Sequence, residues 1–141
     1  MGMGDVQDTL NDLIWVCRES EKGFGKAAKG VSREDLRKRF AGIARQRAMF
    51  ADELLAYVRK IGGEFGVGQQ SAVRETGEEI HDDAWVLAGC ETSEENALHH
   101  YERALSKDLP VPVRPIIDRH RLAVQETLLD LRGMEQVRRA G

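Results

Sequence analysis

The chain has 141 residues, 41% of them hydrophobic and 32% charged, which is enough apolar material for one helix-rich globular core. A net charge of -3, with arginines scattered rather than gathered in a basic stripe with interleaved aromatics, excludes a general nucleic-acid binder, because phosphate binding needs a positive face. No apolar run approaches the roughly 20 residues that span a bilayer, MGMGDVQDTLNDL lacks the pattern of an export signal, and the two cysteines form neither a CxxC pair nor a disulfide framework, so a cytoplasmic location is expected.

Val6, Leu10, Leu13, Ile14, Cys17, Glu21 and Phe24 recur at three and four residue intervals, which predicts an amphipathic helix over 5–29 with Gly30 as its C-terminal glycine. Ser32 and Asp35 resemble a capping box ahead of a second helix over 33–61. Its inward stripe is Leu36, Phe40, Ile43, Arg47, Phe50, Leu54, Val58 and Ile61, and Gly62-Gly63 ends it. The link between these helices is short enough to predict an antiparallel hairpin.

Residues 62–82 open with GGEFGVGQQ and continue polar with little apolar periodicity, so they read as a long crossover with room for a short helix over Gln70–Glu79. Asp82 or Asp83 caps a third helix over 83–106, and KDLPVPVRP forms a rigid turn. A fourth helix over 112–139 turns Val113, Ile116, Ile117, His120, Val124, Leu128, Leu131 and Met134 inward. The expected fold is all-α, a single domain over 1–141: a ferritin-like four-helix bundle of two antiparallel helical hairpins joined by one long crossover.

Five polar residues fall within the apolar arcs: Glu21, Arg47, Glu91, Glu94 and His120. Two chemistries compete for them. A carboxylate-bridged iron or manganese site with Glu21, Glu91, Glu94 and His120 as ligands is one; a buried cluster neutralised by Arg47 is the other. A ferritin-like dimetal site takes Glu-x-x-His pairs from two helices. Here the residue three after Glu91 is Glu94, the residue three after Glu94 is Ala97, and a guanidinium is a counter-charge rather than a ligand.

With helix midpoints set level, a rise of about 1.5 Å per residue puts Glu21 and Glu91 about 5 Å to one side of the central plane. Arg47 and Glu94 fall near that plane and His120 roughly 7 Å beyond it, while Leu128 is the fourth-helix residue closest in level to Glu91. The Arg47-centred network is therefore favoured over a metal, and His120 reads as a hydrogen-bonded core histidine.

The remaining candidates read blandly. His99 and His100 lie off the apolar arc, with a solvated Glu95–His99 pair expected, and His81 lies in the crossover without an evident partner. Trp15 and Trp85 also fall off the core arcs, whereas Cys17 and Cys90 read as small apolar core residues with no base placed to make either a nucleophile. No Walker loop, GxSxG elbow or HExxH pair occurs.

LNDLI, EKGF and AA in the first helix, RFAGIARQRAMFADEL with IGGE in the second, CETSEENALHHYERAL in the third, and DLPVPVR with RH in the last form an ordered set. Together they resemble a family of bacterial ferritin-like four-helix-bundle proteins catalogued only as a domain of unknown function. The resemblance implies the fold and lends no activity. It also breaks at informative places: Gln46 stands where members tend to have a glutamate before the second-helix arginine, and Leu128 where they often have a histidine. A shortened crossover means that His81 should not be equated with a family histidine in that region.

These departures imply that any metal site is incomplete. The expectation is a noncatalytic bundle with a structural or binding role and no cofactor, compatible with a homodimer through an exposed face of its long helices. The alternative is an iron or manganese protein with redox or storage activity.

Overall fold

Apolar residues repeating near a period of 3.6 must share one side of a helix, and four such stripes bury one another in the computed structural model, which describes residues 2–63 and 82–140. The helices are α1 (Met3–Gly30), α2 (Glu34–Lys60), α3 (Asp83–Leu105) and α4 (Arg114–Ala140), and no strand occurs among the described residues. Together they make a four-helix bundle. The expected short helix over 70–79 and His81 lie outside the described residues.

The helix ends correct two local expectations. Gly30 is not a left-handed cap: α1 continues through it and stops because Val31 turns extended, at φ −83° and ψ 149°. Val31 is fully buried, and its carbonyl accepts a 2.8 Å hydrogen bond from Arg37 Nε, so burial of this side chain redirects the chain. Nor does Ser32 cap α2, whose N-cap is Arg33 without a side-chain hydrogen bond. The Ser32 N–H and hydroxyl instead donate to the Asp83 carboxylate at 2.9 and 3.0 Å, tying the first connection to the start of α3. Those contacts, led by the Ser32 backbone N–H, hold Asp83 below the usual carboxylate range. Asp82 supplies the cap of α3, accepting from the Trp85 N–H at 2.9 Å.

The end of α2 does use a glycine. Gly62, at φ +80°, donates its N–H to the Arg59 carbonyl, and Gly63 donates to the Val58 carbonyl at 2.9 Å, which is the pair of bonds that defines a Schellman motif. At the other connection, α4 begins at Arg114 rather than at residue 112, because the Val113 and Arg114 N–H groups first close a turn on the Pro110 carbonyl. Arg114 then reaches back to the carbonyls of Leu105 and Lys107, at 3.1 and 2.6 Å, and satisfies the exposed end of α3.

Among the described residues the core divides into two apolar clusters. The larger gathers Leu10, Leu13, Ile14, Phe50, Leu54, Tyr101, Ile117 and Val124; the smaller gathers Phe24, Phe40, Leu87, Cys90 and Leu131. Between them lies charge. The Arg47 guanidinium sits 5.6 Å from the Phe24 ring of the smaller cluster and 6.0 Å from the Phe50 ring of the larger, so it occupies their junction.

Candidate functional site

Arg47 falls on the inward stripe of α2 between Ile43 and Leu54, and Glu94 on that of α3 between Cys90 and Ala97. Helical phase therefore pushes both charges into the core, where they are 1% and 0% exposed. They meet as a fork: Nη1 donates to one Glu94 oxygen at 2.5 Å and Nη2 to the other at 2.8 Å. Nη2 also donates to Thr127 Oγ1 at 3.3 Å, and Nε to Gln46 Oε1 at 3.3 Å. Burial pushes the Glu94 pKa up, and the Arg47 hydrogen bonds and charge oppose that rise. Because a guanidinium has donors only, a two-pronged contact of this kind holds Glu94 as the carboxylate.

A second polar set runs through the larger cluster and takes one residue from each helix. Cys17 Sγ of α1 lies 2.9 Å from the Tyr101 hydroxyl of α3, which lies 3.3 Å from Nδ1 of His120 on α4, whose Nε2 lies 3.2 Å from Oε1 of Glu53 on α2. Proton positions follow from the outer end inward. Glu53 also accepts a short hydrogen bond from Arg119, and its contacts with Arg119 and His120 overcome desolvation to hold its carboxyl below the usual range. An ionised Glu53 only accepts, so His120 Nε2 carries the proton. Burial pushes the imidazole pKa down to about 4, so His120 is neutral near pH 7 and Nδ1 is a bare acceptor. Tyr101 therefore donates to Nδ1 and accepts from the Cys17 thiol.

The packing keeps this chain in place. Phe50 stacks on His120 with ring centroids 3.8 Å apart, and Tyr101 meets the imidazole edge-on at 5.9 Å. Burial pushes the Cys17 thiol up to about 11 and the Tyr101 phenol well above its ordinary value. Neither group ionises near neutral pH. Glu53, with about a third of its side chain exposed (32%), is where the chain reaches solvent.

The five sequence candidates do not converge. Arg47 and Glu94 meet directly, and His120 is buried, but its partners are Tyr101 and Glu53 rather than the ion pair. Glu21 lies outside the buried set, 38% exposed and paired with Arg18 at 3.2 Å. Glu91 is likewise at the rim, 25% exposed and 3.2 Å from Arg132. Both sit at the edge of their helical arcs, where a long arginine can hold the carboxylate near water. Thr127 contacts the guanidinium that holds Glu94, and the Arg132 side chain meets Glu91.

A carboxylate-bridged pair of ions does not fit this arrangement, since Arg47 occupies both oxygens of the innermost acid and the other three candidates face different partners. Around the third helix, His100 pairs with Asp12 of α1 at 2.8 Å, and Glu95 turns toward Arg132 at 3.9 Å instead of forming the expected pair with His99.

Sequence reasoning missed Glu53, Thr127 and the polar use of Cys17 and Tyr101. One signal was present: a tyrosine on a core stripe needs a partner for its hydroxyl, and His120 was an inward group able to supply it. Glu53 gave no such signal, because it lies beside the apolar arc rather than in it.

The fold and interior define a four-helix bundle whose core is closed by a buried ion pair and a hydrogen-bonded chain. Residues 5–107 match the family described as "Domain of unknown function (DUF2383)", and the chain belongs to that family. The match spans α1 to α3 and ends before α4, so Arg47, Glu94, Cys17, Tyr101 and Glu53 lie within it and His120 and Thr127 beyond it. No curated protein matches the chain.

Proposed function

We propose that this protein is a noncatalytic, ferritin-like bundle of two antiparallel hairpins, serving a structural or binding role in the bacterial cytoplasm. The order of contacts supports the topology. Thr9, Asp12, Cys17 and Ser32 of the first helix and its connection meet Lys107, His100, Tyr101 and Asp83 in turn, so residue numbers rise on one side as they broadly fall on the other. Arg39, Arg47 and Glu53 of α2 meet Asp130, Thr127 and Arg119 in the same opposed sense. On this reading α2 and α3 start at the same end of the bundle, and α2 finishes at the end opposite the start of α3.

One observation carries the noncatalytic reading: the Arg47 fork on Glu94. It meets the charge requirement of the innermost carboxylate with a group that cannot be exchanged for substrate without breaking the core. Protein purified without a histidine tag and reconstituted anaerobically with iron(II), then exposed to air, tests this. The expected result is iron far below stoichiometric and no oxo-bridge absorption; near-stoichiometric iron with that absorption overturns the reading.

A further inference from the structure

We propose that Tyr101 is a redox-active tyrosine, oxidised by an outer-sphere one-electron oxidant with its phenolic proton passing to His120. The geometry is that of a directed relay, with Tyr101 O–H aimed at His120 Nδ1 at 3.3 Å and His120 Nε2–H aimed at Glu53 at 3.2 Å. Removing an electron from a phenol makes its O–H strongly acidic. In a side chain that is 1% exposed, that proton cannot pass directly to bulk water, and a net positive charge left in the apolar core is disfavoured. Both obstacles are met by the same two hydrogen bonds.

The step balances within the chain. One electron leaves Tyr101 for the oxidant, and the Tyr101 O–H bond breaks as an N–H bond forms at His120 Nδ1. The proton on Nε2 then passes to Glu53, which is in contact with solvent. Tyr101 becomes a neutral phenoxyl, His120 remains neutral in its other tautomer, and no heavy atom needs to move. Phe50, stacked on the imidazole, fixes the ring plane, and the Cys17 thiol donates to the phenolic oxygen and holds it in line. Cys17 and Phe50 are positioning residues here; Tyr101 and His120 carry the chemistry.

The test uses the full chain after chelator treatment, so that its outcome is independent of any metal. Protein carrying ring-deuterated tyrosine and Tyr57→Phe is oxidised by photogenerated tris(bipyridine)ruthenium(III), and radicals are followed by transient absorption and frozen-sample EPR. The expected radical is a neutral tyrosyl that disappears when Tyr101→Phe is added. Its rate of formation falls by about a hundredfold in His120→Phe, the low end of what a positioned proton acceptor contributes. Because that core variant can fail to fold, Glu53→Gln at the bundle edge supplies a second reading, with slower formation and a changed pH dependence. Radicals on tryptophan alone, or a Tyr101 radical whose rate is unchanged in Glu53→Gln, overturn the proposal.

Discussion

A buried guanidinium and carboxylate each lose several kcal/mol of hydration, so Arg47 and Glu94 are tolerable in the core only as partners. Arg47→Met leaves Glu94 without its fork and is expected to destabilise the protein by about 3–5 kcal/mol at pH 7, read from urea unfolding. The double variant Arg47→Met, Glu94→Leu removes both charges and is expected to recover most of that loss. A single variant as stable as the parent would show that Glu94 does not depend on Arg47.

His120 sets a pH dependence of definite sign. Its folded pKa, lowered to about 4, lies below the unfolded value near 6.5, so between those values the unfolded chain binds the extra proton. The contribution is complete above about pH 6.5 and is lost as the pH falls toward 4, an effect on the order of 3 kcal/mol. Glu53, also held low, acts in the same sense at more acidic pH. Urea midpoints measured at intervals from pH 4 to 7.5 are expected to climb through this window, and to climb much less in His120→Phe.

Two glycines show how helix ends divide the work between local and tertiary causes. Gly62 holds φ +80° in the Schellman turn, so Gly62→Ala is expected to cost about 1 kcal/mol through left-handed strain. Gly30 is helical, and an added Cβ meets Val86 Cγ2 at an ordinary 3.9 Å, so Gly30→Ala is expected to be neutral or to stabilise by up to about 1 kcal/mol. Thermal midpoints of the two variants should therefore move in different directions, and equal losses would contradict the helical assignment of Gly30. The same pair shows the limit of reading glycine as a stop signal. Gly62 is followed by a second glycine that completes the motif; Gly30 is followed by a buried valine, and that burial ends the helix.

Across the whole molecule, the hydrogen-bonded chain takes Cys17, Glu53, Tyr101 and His120 from four different helices, so neither hairpin can leave without breaking it. Urea unfolding is expected to be a single transition. Helix content by circular dichroism and fluorescence of the partly buried Trp15, in a Trp85→Phe background, should give superimposable curves; separated midpoints would show that the parts unfold independently.

The four helices were legible because apolar residues at three and four residue spacing can be buried together in few other ways, and Arg47, Glu94 and His120 were legible because each interrupts such a stripe. Glu21 and Glu91 interrupt theirs at the edge, where one long arginine on the same or a neighbouring helix draws the carboxylate out toward water. A sequence carries angular phase about each helix axis, and so by itself it determined which faces turn inward and that charge would lie among them. Which charges touch depends on the axial registration and tilt of helices far apart in the chain, and only the tertiary structure decided that Arg47 closes on Glu94 while His120 joins Tyr101 and Glu53.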